Sequence, residues 1–159
     1  MFADVAGFAQ EASAPAQIRH LMDRCINRIA ILIGAGARDA APHLIEIATL
    51  LGAGVAKALL GKDVLPVDLP FVTGAIGLLG TEPSWDLMQG CDTLLMVGTG
   101  FPWSEFPPKD GSVRAVQIDI EVSMPSRRYP ADVNLVRTLG KYRSFLCSAG
   151  FGHLAMLAR

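Results

Sequence analysis

Two glycine pairs carry the most chemistry in this sequence, Gly34-Ala35-Gly36 and Gly98-Thr99-Gly100. Each follows a short aliphatic run, and Gly61 follows a third more loosely. Glycine lets a backbone turn tightly and come close to a ligand. Where such a turn opens a helix, its N–H groups can receive a phosphate. Gly36 and Ala37 are the donors this reading nominates. The same turns serve equally well as ordinary strand-to-helix connections. Asp119 ends another aliphatic run, where its carboxylate either accepts hydrogen bonds from a ribose-type hydroxyl or caps a turn.

Familiar fingerprints fit poorly. Counting from Gly34, the third glycine of a dinucleotide motif is replaced by Asp39, a negative charge where a pyrophosphate wants a positive dipole. The acid expected some 20 residues further on is missing, and Lys57 and Lys62 occupy that region instead. No GK[ST] follows the glycines, and no GxSxG surrounds Ser84, Ser104, Ser112, Ser123 or Ser126. His20, His43 and His153 have no ligand spacing and read as structural or solvated. Cys25, Cys91 and Cys147 form neither a disulfide framework nor a CxxC pair. No catalytic set and no metal ligands are expected within this chain. It is better equipped to hold a cofactor than to run a reaction.

The elements that must position these residues follow from the hydrophobic pattern. Ile29–Ala37 reads IAILIGAGA, an uninterrupted apolar strand over about 28–33 and then a turn, as in a strand buried on both faces. Asp39 is expected to cap the next helix, with Pro42 in its first turn and Leu44, Ile47, Ala48 and Leu51 on its buried stripe. Gly52 and Gly54 end it. A second strand is expected over Val55–Leu59. The connection GKDVLPVDLPFVTGAIGLLGTEPSW follows, broken by Pro66 and Pro70 and spaced by Gly74, Gly77 and Gly80. It is expected to be an ordered loop with a short helix, either facing a ligand or simply packed. Ser84–Gly90 predicts a helix, Thr93–Val97 a third strand and Val113–Ile118 a fourth. FPWSEFPPKDG, between those two strands, is an aromatic, proline-rich loop. Val133–Val136 predicts a last short strand. Helices are also expected from Pro15 to Asn27 and from Lys141 to Cys147. The order favours a parallel sheet covered by helices, with right-handed crossovers. Ligands of such sheets bind at the carboxyl ends of the strands.

Composition narrows the partners. The 159 residues suffice for one substantial core. Hydrophobic residues make up 51% and charged ones 18%, which suggests surfaces that cover one another in an oligomer or against further domains, or simply the many aliphatics that doubly covered parallel strands need. The formal charge is -1 and no basic block exists, so nucleic acid is not an expected partner. No run of roughly 18 apolar residues is present to span a bilayer, and no basic start leads into an apolar signal core. The cytoplasm is the default location.

The segments ILIGAGARDA, ALLGKDVLPVDLPFVTGAIGLLGTEPSWDLMQGCDTLLMVGTGFPWSEFPP and VQIDIEVSMPSRRYPADVNLV resemble, in order and length, the central domain of thiamine-diphosphate-dependent enzymes. The acetolactate synthase, pyruvate oxidase and ubiquinone-linked pyruvate dehydrogenase group is the type, with the pyruvate branch closest. The resemblance runs from about Arg28 to Val136. It implies a Rossmann-like three-layer α/β sandwich with a parallel sheet of about six strands. It also implies FAD as a possible cofactor of this domain, held by Gly34, Gly36, Lys57, Gly74, Gly98, Thr99, Phe101, Asp119 and Ile120. In that scheme Gly34 and Gly36 lie beside the FAD backbone, while Asp119 and Ile120 approach its adenosine side. Thiamine diphosphate and Mg²⁺ are implied only for the full-length enzyme.

The sequence departs from the family pattern at Leu69, where relatives often have histidine, and after Val136, where Arg137-Thr138 replaces Gly-Asp. Residues 14–23, APAQIRHLMD, resemble a stretch near the end of the family's first domain. The expected organisation is an N-terminal segment with a helix (1–27), a central cofactor-binding-like domain (28–136) and an atypical tail (137–159). Such a chain reads as a fragment of a larger pyruvate-type oxidoreductase, inactive alone. It would be partnered by missing flanking domains or by copies of itself. A self-association domain binding no nucleotide and a small NAD-linked enzyme are the alternatives.

Overall fold

The computed structural model describes residues 28–101, 105–136 and 139. The helices expected over 15–27 and 141–147, and with them His20, Cys25, Ser104, Cys147 and His153, lie outside the described residues. Six strands follow in chain order: β1 (Ile29–Ile33), β2 (Gly54–Lys57), β3 (Val72–Ala75), β4 (Thr93–Val97), β5 (Arg114–Asp119) and β6 (Val133–Val136). Two α-helices are described, α1 (Ala41–Leu51) and α2 (Glu82–Gly90). The strands form one sheet in the order β3-β2-β1-β4-β5-β6, and every neighbouring pair is parallel. This is the doubly wound arrangement, and the strand order reverses between β1 and β4.

The apolar run of β1 is buried along its whole length because it is covered on both faces. Ile29, Ile31 and Ile33 point to one side, where Leu44, Ile47 and Ala48 of α1 pack with Val55, Leu95, Val97, Val116 and Ile118. Ala30 and Leu32 point to the other, against Met88 of α2, Leu94 and Met96. Each large aliphatic side chain removed from water contributes roughly 1.5–3 kcal/mol. The two layers of burial therefore hold the sheet, and helix propensity is secondary. The β4–β5 and β5–β6 crossovers contain no α-helix among the described residues. Phe101, Phe106 and Tyr129 fill that part of the second face instead.

Several expectations are corrected. The long connection after β2 contains a strand, β3, which pairs with β2 through a register shift between Val55 and Ala56. It is an edge strand, half-buried throughout, so it lacks the continuous aliphatic signature of its neighbours. β2 ends at Lys57 rather than Leu59: the Ala58 N–H still bonds the Ile33 carbonyl of β1 (2.8 Å), and Leu59–Gly61 then winds into a 3-10 turn. Asp39 does not cap α1. Residues Ala35–Ala40 are wound into a 3-10 turn, and α1 is entered from Ala40 with no side-chain cap. Its far end is as expected: Gly52 is left-handed (φ 60°), and Ala53 N–H reaches back to Ala48 O at 2.9 Å. α2 begins two residues earlier than expected, at Glu82 with Pro83 in its first turn, and β5 runs one residue later at each end than expected.

Candidate functional site

The turns after β1 and β4 lie against each other where the strand order reverses. Gly34 N–H donates to Val97 O (3.0 Å), Gly36 N–H to Gly98 O (3.0 Å) and Gly98 N–H to Ile118 O (2.9 Å). No side chain fits in this contact. A Cβ at Gly98 would stand 2.3 Å from the Gly36 carbonyl carbon, and one at Gly34 would stand 2.4 Å from Gly98 O. Gly98 also has φ +56°, a conformation that L side chains rarely adopt. The glycines are thus required by backbone meeting backbone. The phosphate reading of the Gly36 and Ala37 N–H groups is corrected here: the first is spent on Gly98 O and the second on Gly34 O at 3.1 Å.

A cleft opens on each side of this contact. The first, of about 220 Å³, is lined by Gly36, Asp39, His43, Gly98, Asp119 and Ile120 among others. Asp119 stands at the end of β5, and its Oδ1 accepts the Glu121 N–H (3.0 Å). It therefore caps a turn, as one of its two readings required, while still bordering the cleft. Two carboxylates and an imidazole make this a site for hydroxyl or amine donors and a poor one for phosphate.

The second cleft, of about 350 Å³, is apolar and lined by Gly34, Ala35, Leu59, Leu60, Thr99 and Phe101, with Arg128 bringing the cation. Phe101 meets Phe106 edge-on at 6.5 Å, and Phe106 meets Trp85 the same way at 6.0 Å. The buried Gln117 ties the surrounding loops together. Its Nε2 donates to Thr99 O (3.2 Å), and its Oε1 accepts Ser126 N–H (2.9 Å). Arg128 Nη1 donates to Gly100 O at 2.7 Å. A flat apolar group with an adjacent anion suits this cleft.

The Leu59–Leu60 wall is 61% and 74% exposed at its two residues, so its own burial does not fix it. Gly61 behind it sits directly on β1, where a Cβ would come within 2.8 Å of Ile33 O. On the outside, Arg38 grips Asp63 through Nη2–Oδ1 (3.1 Å) and Nε–Oδ2 (3.2 Å) and also reaches Leu60 O (3.2 Å). The Arg38 guanidinium beside it holds the Asp63 carboxyl below its ordinary value. Both side chains are more than half exposed, and such pairs contribute little. On the inside, Lys57 is 2% exposed and its Nζ donates to Lys62 O (2.9 Å) and Leu65 O (3.0 Å). Burial pushes the Lys57 ammonium below the ordinary lysine value, and the Asp63 charge opposes that shift. Leaving buried carbonyls unpaired costs roughly 1–3 kcal/mol each, so the inner brace outweighs the outer one.

The structure brings Gly34, Gly36, Gly98, Thr99, Phe101, Asp119 and Ile120 together around the two clefts. Lys57 and Gly74 line neither cleft. Lys57 points beneath the loop, and Gly74 lies on β3 with φ +121°, packed against Thr81. Asp39, His43, Leu59, Leu60 and Arg128 border the clefts without having been singled out as site residues. For Arg128 the sequence holds no local signal, since its partner Gly100 is 28 positions away. Among the described residues no group of three His, Cys, Asp or Glu is placed to hold a metal ion. Cys91 is buried, its thiol pushed up to about 11, chiefly by burial.

Residues 24–146 match the family described as "Thiamine pyrophosphate enzyme, central domain". The chain is 36% identical over 106 residues to YdaP of Bacillus subtilis, provisionally named a thiamine pyrophosphate-containing protein; the match covers 67% of this chain and 18% of that one. It is 30% identical over 109 residues to a probable 2-ketoarginine decarboxylase, AruI, of Pseudomonas aeruginosa, covering 66% and 19%. It is 27% identical over 117 residues to a probable acetolactate synthase large subunit of Methanocaldococcus jannaschii, covering 69% and 19%. The chain thus spans less than a fifth of the length of each of these relatives. The family match runs over most of this sequence and coincides with the sheet and both clefts, so the chain belongs to the thiamine pyrophosphate enzymes and carries their central domain.

Proposed function

We propose that this chain serves as the FAD-holding central domain of a larger thiamine-diphosphate-dependent enzyme acting on a 2-keto acid of the pyruvate type. One observation carries the reading. Two clefts of opposite chemistry meet at Gly98, where the sheet reverses its strand order. The residues fit the cofactor's parts. Asp119 and Ile120 suit the hydroxyl-rich adenosine end, Arg128 suits the negative charge of a pyrophosphate, and Leu59, Leu60 and Phe101 suit an apolar ring system. Gly98 borders both clefts and carries no side chain, so a ligand can lie against its backbone in either. FAD, when bound, supplies the capacity to take up electrons. The chain's own residues bind, orient and shield it. Thiamine diphosphate and Mg²⁺ fall to the remainder of the enzyme, as do the 2-keto acid and the decarboxylation. The domain division at about residues 27 and 136 belongs to the same proposal.

Titration of the purified chain with FAD, followed by flavin fluorescence, tests this. Saturable binding in the micromolar range, about -8 kcal/mol, is expected. No saturation overturns the cofactor role. A steady-state assay with pyruvate, thiamine diphosphate, Mg²⁺, FAD and an electron acceptor is expected to show no protein-dependent turnover, and turnover would overturn the assignment of catalysis to other domains. A second reading, self-association without a nucleotide, draws on the neighbouring leucines Leu78 and Leu79, which are 77% and 88% exposed. Sedimentation with and without FAD separates the two readings.

A further inference from the structure

We infer that Lys57 is a positioning residue: by holding the carbonyls of Lys62 and Leu65 from beneath, it fixes the Leu59–Leu60 wall and so the shape of the apolar cleft. The ligand named for that cleft rests on the FAD proposal; the inference about the loop does not. Lys57 ends β2, and its side chain runs under the segment that follows. It joins the start of that segment to residues five and eight positions further on. The other ties inside the segment are local turns: Gly61 N–H to Ala58 O (2.8 Å), Lys62 N–H to Leu59 O (3.4 Å) and Val64 N–H to Gly61 O (3.1 Å). These shape the turns. From outside the segment, Ala58 N–H to Ile33 O (2.8 Å) ties its start to β1, and Arg38 reaches Leu60 O and Asp63 from the exposed side, while Lys57 ties its far end from the buried side. Among the described residues no carboxylate lies within ion-pair distance of the Lys57 ammonium. Such a buried cation is tolerated only while hydrogen-bond acceptors surround it. The two carbonyls are thus held by the ammonium as firmly as the ammonium is held by them. Val64 and Leu65 are buried beside it, which makes the far end of the segment a fixed floor, with the leucine wall standing between floor and strand.

The test uses the full chain and its Lys57→Met variant, which keeps the stem and removes the donors. Amide hydrogen exchange over residues 59–64 is expected to quicken at least about tenfold, with exchange in β1 and β4 unchanged. FAD affinity is expected to fall in parallel. Unchanged exchange over 59–64 overturns the inference. So does quickening that is uniform along the chain, since a merely structural residue would give that. A second measurement needs no variant. In ¹⁵N-lysine-labelled wild type, the Lys57 ammonium protons are expected to exchange far more slowly than those of the exposed Lys62 and Lys109, and equal rates overturn the inference. If wild type binds no FAD at all, the cofactor proposal falls while both exchange contrasts still decide the role of Lys57.

Discussion

The acidic cleft and the apolar cleft share Gly98 but are built by different means. The acidic one is framed by regular structure: Asp119 comes from the end of β5, and Asp39 and His43 flank the start of α1. The apolar one is framed by segments outside strands and helices: the 58–65 segment, the turn after β4 and the loop carrying Arg128. Its shape depends on cross-braces from Lys57, Gln117 and Arg128. One side of the site is therefore set by the fold itself. The other is set by a few hydrogen bonds between segments far apart in sequence.

The strongest way to break this comparison is to remove what both clefts share. Gly98→Ala places a Cβ against the Gly36 backbone in a left-handed conformation and is expected to destabilise the chain by about 3 kcal/mol or more, as read by urea unfolding. Both clefts should be lost together; retention of either would separate them.

Alkaline pH should act beside the apolar side. Tyr129, next to Arg128, is 5% exposed, and its hydroxyl has no hydrogen-bond partner among the described residues. Its pKa is pushed up to about 12, first by burial and then by the charges of Asp110, Cys91 and Asp132. A folded value above the ordinary 10.0 means the folded chain keeps the proton longer, so the contribution is complete below pH 10 and is lost as pH rises toward 12. The expected loss is about 2–3 kcal/mol. Cys91 adds a similar loss in the window from 9.0 to about 11. Tyr129→Phe should abolish the upper part of this dependence. At neutral pH it should leave stability unchanged or raise it by about 1 kcal/mol, because an unsatisfied buried hydroxyl is removed. Thermal melts across pH 7–12 read both.

Ligand binding sharpens the contrast at smaller cost. Arg128→Met is expected to weaken FAD binding about tenfold, or about 1.4 kcal/mol, and to flatten its salt dependence. Asp119→Asn should weaken binding without flattening the salt dependence. Equal salt slopes in the two variants would erase the division of labour between the clefts. The smallest effect is expected from Arg38→Met: it breaks an exposed ion pair and should barely change either the melting temperature or amide exchange over residues 59–64, whereas Lys57→Met quickens that exchange.

How much of this was legible in the sequence follows the same division. The interior strands Thr93–Val97, legible residue for residue, and Ile29–Ile33, legible to within one, advertise themselves as aliphatic runs. The edge strand Val133–Val136 was legible without such a run. β3, an edge strand containing Gly74, has no such run either and was not. The glycine pairs were visible, but not that each exists for the other, because that contact joins turns more than sixty residues apart. Lys57 looked like a cation offered to a ligand. Only the return of the chain at Lys62 and Leu65 shows it turned inward.

The pairing of β1 with β4 has a kinetic consequence. Arg28 and Asp92, bonded at the entrance to that pair, are 64 positions apart, so the middle of the sheet closes a long loop. The entropy of closure grows slowly with length, and the penalty falls on the folding rate more than on final stability. Until β4 arrives, β1 stands as an open edge: five consecutive aliphatic residues without a charge. The run that ends up most deeply interior is, in the half-folded chain, the stretch most prone to pair with a stranger.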